Sequence, residues 1–214
     1  MDVIRYADEI SSPVAGKEGA VGIINYGAGN IFSLTAALDR LGVRYGMVHD
    51  AGDFEGYDRY IIPGVGHAGA AMKKLQDTGL VDRIRELKKP VLGVCVGMQL
   101  LTAFSEEGNS GLTGIMPLQT KLFKESLKLK VPHTGWNKVR PDTENALFSG
   151  LNDEYFYVVH SYHIEFNSNF TLASTNYGIR FSAAIRKDNF YGVQFHPEKS
   201  GKAGERLLLN FLGL

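Results

Sequence analysis

The sequence predicts an α/β fold: an open, mostly parallel sheet flanked by helices, with antiparallel strands added in the C-terminal half. Two observations point there. Short apolar runs alternate with helix-periodic segments through the first half, which is the signature of parallel strands joined by helical crossovers. After Gly111 the pattern changes to β-branched and aromatic runs with period-two alternation, which reads as closely connected antiparallel strands. The chain length supports one core, since 214 residues with 44% hydrophobic and 21% charged side chains fit a single globular domain.

Taken in order, residues 1–19 (MDVIRYADEISSPVAGKEG) carry mixed charge, Ser11, Ser12, Pro13 and Gly16 and no sustained periodicity, so they read as an appended arm. Residues 20–214 then form one domain. A strand is expected at 21–25 and a helix at 31–41; a strand at 60–62 precedes helices at 68–75 and 81–87; a strand at 91–94 precedes a helix at 98–104. The later strands are expected at 127–131, 155–160, 171–175, 181–186 and 190–195, and an apolar strip at 205–212 makes a closing helix packed on the sheet.

Composition narrows the function. Lysine plus arginine and aspartate plus glutamate each number 23, so no net charge draws the chain to nucleic acid or an anionic membrane. No apolar run approaches the roughly 18 residues of a membrane span, and the first residues lack a secretion signal's basic start and apolar middle. A cytoplasmic location follows. The one cysteine, Cys95, has no internal disulfide partner and no sulfur companions for a zinc site, so it acts as a thiol.

In an open α/β sheet, ligands sit beyond the carboxyl ends of the strands, and three loops there stand out. In V-L-G-V-C-V-G-M-Q (91–99) a strand runs into a helix through G-x-C-x-G. Glycines either side of Cys95 permit the tight turn that lifts a nucleophile from a sheet, the helix start favours thiolate, and the amide of Val96 is placed for an oxyanion. Read alone, the loop fits a nucleophile and a buried inert thiol equally. In Y-G-V-Q-F-H-P-E (191–198) a strand ends at His196, and Glu198 can hold its tautomer only if the chain folds back around Pro197. In I-I-P-G-V-G-H (61–67) the amide of Gly64 or Val65 is the candidate second oxyanion donor, with a plain turn as the alternative.

Other motifs lose weight. Gly27-Ala28-Gly29-Asn30 resembles the start of a dinucleotide loop, but Phe32 stands where G-x-G-x-x-G needs its third glycine. His160 and His163 suggest a metal, yet residues three apart on one strand face opposite sides. Glu106 and Glu107 also read as solvated charge near a helix end. Neither a cofactor nor a metal is implied.

Together these motifs resemble class I (triad) glutamine amidotransferases, whose flavodoxin-like domain matches the predicted fold. The general likeness rests on P-G-V-G (63–66), G-V-C-V-G-M-Q (93–99) and F-H-P-E (195–198). A narrower likeness, to the glutaminase subunits of imidazole glycerol phosphate synthase in histidine biosynthesis, rests on N-Y-G-A-G-N (25–30), M-Q-L-L (98–101), S-E-E-G (105–108), P-H-T-G-W-N (132–137), V-H-S-Y (159–162) and H-P-E-K-S (196–200). It covers residues 21–214, and the arm departs from it.

The resemblance implies that Cys95 attacks the glutamine side-chain amide, His196 moves protons and Glu198 orients His196. It implies that Gly66, Gln99, Glu107, Ser161 and Tyr162 hold glutamine. Ammonia would pass, within a heterodimer, to a cyclase subunit with a β/α barrel, which makes imidazole glycerol phosphate and aminoimidazole carboxamide ribotide. Asn30, Ser33, Trp136 and Lys199 are the implied contacts with that partner. Trp136, set in a polar loop between Gly135 and Asn137, is an interface anchor on this reading and a core residue on the other. An ammonia-supplying paralogue of another pathway, such as surface-sugar synthesis, shares nearly all these motifs. The subunit of anthranilate synthase shares the triad but not the motifs at 25–30 and 132–137; a silent binding subunit and a free cysteine peptidase fit less of the sequence.

Overall fold

The computed structural model describes residues 19–214, so residues 1–18, nearly the whole of the expected arm, lie outside the described residues. The first half builds four parallel strands, β1 (Val21–Ile24), β2 (Tyr45–Val48), β3 (Arg59–Ile62) and β4 (Val91–Val94), in the spatial order β2-β1-β3-β4. Four helices accompany them: α1 (Ile31–Arg40), α2 (Ala68–Asp77), α3 (Val81–Glu86) and α4 (Val96–Leu100). β1 and β4 are buried at every position, as strands covered on both faces must be.

The second half contributes β5 (Phe104–Ser105), β6 (Ser110–Gly111), β7 (Gln119–Leu122), β8 (His133–Pro141), β9 (Glu154–His160), β10 (Tyr162–Glu165), β11 (Thr171–Tyr177), β12 (Ile179–Lys187) and β13 (Phe190–Val193), then α5 (Gly201–Leu212). β13 joins the halves, pairing parallel with β4 and antiparallel with β12. The sheet continues β12-β10-β7-β5-β6, while β11 pairs with both β12 and β8, and β8 with β9. α5 buries Leu207, Leu208 and Phe211, the apolar strip expected of it.

Because β1, β3, β4 and β13 run in one direction, their carboxyl ends share one edge. That edge receives the loops opening at Asn25, Pro63, Cys95 and Gln194.

Several elements differ from the sequence reading. The helix expected at 98–104 runs instead over Val96–Leu100, and Thr102 then turns the chain, its hydroxyl donating to the Gln99 carbonyl at 2.8 Å. No strand forms at 127–131. Its Leu-Lys-Leu-Lys-Val alternation mimics one, but Lys128 takes a left-handed conformation (φ 51°) that breaks the extended chain. The motif at 132–137 lies on β8 apart from Pro132 itself, so Trp136 stands in a strand and not in a loop.

Candidate active site

Cys95 sits between β4 and α4 with φ 54° and ψ −111°, a conformation that L-residues avoid unless the surroundings enforce it. The surroundings are backbone. A Cβ on Gly64 would run into the Gly97 nitrogen, one on Gly93 into the Gly97 carbonyl, and one on Gly97 into the Ile62 carbonyl. The loop after β3 and the start of α4 therefore meet main chain to main chain, a closeness only glycine permits. Cys95 is held from the other side by its N–H, which donates to the Val193 carbonyl at 2.8 Å.

Beyond β13 the chain continues to His196 and turns. Pro197 opens the short 3₁₀ turn Pro197–Lys199, which brings Glu198 back so that its Oε1 lies 2.8 Å from His196 Nδ1. Ser200 locks the turn, its hydroxyl donating to the His196 carbonyl at 2.6 Å and accepting from the Tyr157 N–H at 3.0 Å. The fold-back on which the His-Glu pairing depends is thus present. Burial works against a charged imidazole here, but hydrogen bonding and charge from Cys95, and then from Glu198, outweigh it and raise the His196 pKa to about 10. His196 Nε2 is buried without a hydrogen bond of good geometry, and with Nδ1 held by Glu198 it is the nitrogen left for the Cys95 thiol.

A cavity of about 260 Å³ opens over Cys95 and His196. Val65, Gly66, Val96, Gln99, Glu107, Ser161 and Tyr162 line it, so all the residues expected to hold glutamine face one space. A larger groove of about 700 Å³ at Pro141, Thr143 and Asn145 contains none of them. Glu106 and Glu107 are not simply solvated: Glu107 Oε2 accepts from the Ala68 N–H at 2.5 Å, at the start of α2, and Glu106 Oε2 from the Leu122 N–H at 2.8 Å.

Of the candidate oxyanion donors, the one on Val96 is already engaged. The Val96 N–H donates to the Gly64 carbonyl at 3.3 Å. In a trans peptide the carbonyl and the following N–H point opposite ways, so the Val65 N–H is turned away from Val96. The Gly64–Val65 peptide occupies the donor it was expected to complement.

Two buried groups were not singled out from the sequence. Gln194 precedes His196 by two residues; its Nε2 lies 3.7 Å from Cys95 Sγ and its Oε1 accepts from Gln99 Nε2 at 3.1 Å. A polar residue in phase with His196 inside an apolar strand was the available signal. Tyr26 donates to the Pro63 carbonyl at 2.7 Å, and burial, with the nearby Cys95, pushes its pKa up.

His160 and His163 are both buried against Phe123, with ring centroids 5.5 and 4.6 Å from it. The opposite-face argument fails because they end β9 and lie in β10, two different strands. His160 Nδ1 lies 2.7 Å from the Tyr162 carbonyl, which only accepts, so the proton is on Nδ1. Its Nε2 must then accept from His133 Nδ1 at 3.0 Å, and His133 Nε2 from Asn137 Nδ2 at 3.2 Å. Burial lowers the pKa of His133 to about 4 and of His160 to about 3. Among the described residues no cluster of three or more His, Cys, Asp or Glu side chains is arranged to hold a metal, and no helix is long and apolar enough to cross a membrane.

The expected partner contacts fall at the outer rim of this edge. Asn30 caps α1, its Oδ1 accepting from the Ser33 N–H at 3.2 Å, and with His196 and Glu198 it borders a small space of about 10 Å³. Trp136 is 57% exposed, which removes the core reading. Its ring meets Tyr157 edge-on at 6.2 Å, and the Lys199 ammonium lies 6.0 Å from the same tyrosine ring.

The family model "Glutamine amidotransferase class-I" matches residues 22–213. "Imidazole glycerol phosphate synthase subunit HisH" of Bacteroides fragilis is 48% identical over 196 residues, covering 91% of this chain and 99% of that protein. The protein of the same description from Mannheimia succiniciproducens is 46% identical over 191 residues, 89% of this chain and 97% of its own length. A solved structure described as "Crystal structure of glutamine amidotransferase" shares the fold with a TM-score of 0.71 at 19% identity, over 91% of this chain and 100% of that one.

Proposed function

The chain belongs to the class-I glutamine amidotransferase family, and from that premise we propose that it is the glutaminase subunit of an imidazole glycerol phosphate synthase, with Cys95, His196 and Glu198 as its triad. One observation carries the assignment of roles. The only cysteine of the chain stands on a strained elbow, in the same cavity as a buried histidine that a carboxylate holds at 2.8 Å.

Cys95 Sγ attacks the side-chain amide carbon of glutamine. His196 gives its proton to the departing nitrogen, the carbon–nitrogen bond breaks, and ammonia leaves a thioester. Water then attacks the thioester as His196 takes a proton from it, the carbon–sulfur bond breaks, and glutamate is released. Glu198 keeps His196 Nδ1–H turned toward itself and Nε2 toward the sulfur through both steps. Glu107, the carboxylate of the cavity, suits the α-ammonium of glutamine, while Gly66, Gln99, Ser161 and Tyr162 fix the rest of the molecule.

Each tetrahedral intermediate needs donors where its oxygen becomes negative. With the Val96 N–H bound to the Gly64 carbonyl, that place is taken. Rotation of the Gly64–Val65 peptide would free the Val96 N–H and turn in the Val65 N–H, supplying two donors at once. Hydrolysis is therefore slow in the isolated chain and accelerates when the partner favours the rotated peptide. The partner is a cyclase subunit, proposed to be a β/α barrel that forms a heterodimer over Asn30, Ser33, Trp136 and Lys199 and uses the ammonia to form imidazole glycerol phosphate and aminoimidazole carboxamide ribotide.

Cys95→Ala tests the reading. Glutamine hydrolysis should disappear, while the complex with the cyclase still turns over on added ammonium salt. Retained hydrolysis would remove Cys95 from the mechanism.

A further inference from the structure

We propose that Gln194 is a further catalytic residue, whose Nε2–H donates to Cys95 Sγ and supports the sulfur alongside His196. The inference rests on Cys95 being the nucleophile. Gln194 is 1% exposed, and its backbone N–H donates to the Ala183 carbonyl at 2.9 Å, which continues the β13 ladder. In that extended segment Gln194 and His196, two apart, project to the same face, so one strand end delivers both the amide and the imidazole to the sulfur.

The orientation of the amide follows from its neighbours. Gln99 Nε2 donates to Gln194 Oε1 at 3.1 Å, which leaves Gln194 Nε2 facing Sγ at 3.7 Å, a hydrogen-bond length for sulfur. Reversing both amides would set a carbonyl oxygen against the sulfur, which repels it in the negatively charged nucleophilic form. The observed arrangement also leaves Gln99 Oε1 buried and unpaired beside the cavity. A donor on the substrate meeting that oxygen would tighten the line Gln99–Gln194–Cys95. Gln99 is thus a positioning residue for Gln194 as well as a wall of the cavity.

Because the chain contains one cysteine, its alkylation by iodoacetamide reports on Cys95 alone and needs neither glutamine nor partner. Gln194→Met keeps the length of the side chain without a donor; Gln194→Glu keeps an acceptor for Gln99 but sets an ionised carboxylate against the sulfur. Alkylation rate is measured across pH for both, with melting midpoints alongside. His196, Glu198, Tyr26, Glu107, His160 and Tyr162, the titratable groups around the sulfur and its cavity, are unchanged in each variant. The Met curve should move upward by about one pH unit, which is a tenfold slower reaction at a fixed pH on its rising limb, and the Glu curve further. If the Met variant fails to fold, the Glu variant decides. A folded variant whose curve superimposes on that of the parent overturns the proposal. Glutamine hydrolysis by the parent with its cyclase is assayed separately, so a failure of the proposed function is distinguishable from a failure of Gln194.

Discussion

His196 and His160 are both nearly inaccessible, at 1% and 6% exposure, and both have Nδ1 turned to a defined neighbour. They nonetheless lie on opposite sides of neutrality. His160, in the antiparallel half, has a carbonyl and another imidazole for partners, and burial drives its pKa to about 3. His196, at the edge of the parallel half, suffers the same burial but has Glu198 and Cys95 beside it, and its pKa rises to about 10. Burial alone makes a histidine a fixed neutral connector; burial with an anionic partner makes it a proton donor.

The widest gap should come from removing the donor itself. His196→Ala is expected to cut glutamine hydrolysis by about four orders of magnitude or more, and Glu198→Gln by one to two orders less, since packing still partly orients the ring. The comparison predicts something sharper for Glu198→Gln: without the carboxylate, His196 should titrate well below 10, toward the neutral behaviour of His160, as read by NMR of the imidazole protons. An unchanged titration would assign the raised pKa to Cys95 alone.

A smaller effect separates the two regions by the sign of their contribution to stability. His133 and His160 stay neutral in the fold while the unfolded chain takes up protons below about 6.5, so their contribution is present above that pH and is lost as pH falls toward 4 and 3. His196 binds its proton more tightly when folded, so its contribution is complete below about 6.5 and is lost as pH rises through about 10. Melting midpoints followed across pH should show His133→Gln flattening the acid limb and His196→Gln the alkaline limb. Both variants altering the same limb would break the comparison.

The smallest effect on stability should come from the outer rim. Trp136→Ala removes an exposed ring, so the melting midpoint of the isolated chain should barely move. Calorimetry against the cyclase should show affinity reduced by about tenfold or more, as for a buried aromatic anchor. Unchanged affinity together with unchanged coupling would place the interface elsewhere.

Much of this was legible because it depends on local patterns. The strands at Val91–Val94 and Phe190–Val193 are short apolar runs ending at Cys95 and just before Gln194, and the glycines around Cys95 announce a turn that few other residues allow. β2 was not legible, since Tyr-Gly-Met-Val is only partly buried and has no clear period. The two-residue strands β5 and β6 are too short to carry any. Gln194 and the line Asn137-His133-His160 were hidden for another reason. Gln194 meets Cys95 and Gln99 across 99 and 95 residues of chain, His133 meets His160 across 27 residues on another strand, and hydrogen-bond direction exists only once tautomers are fixed by contact. The state of the Gly64–Val65 peptide was equally out of reach, because a peptide turned over leaves the sequence unchanged.

The groups that meet at the Gly64–Val65 peptide, the Gly64 carbonyl and the N–H groups of Val65 and Val96, are main-chain atoms common to every residue type. Exchanging the valine side chains leaves those atoms in place, and adding a single methyl group at Gly64, Gly93 or Gly97 would force the two segments apart. Side-chain variation has almost nothing to tune between silence and ruin. What stays adjustable is a rotation, and a rotation can be set from outside by whatever leans on the exposed loop that carries it.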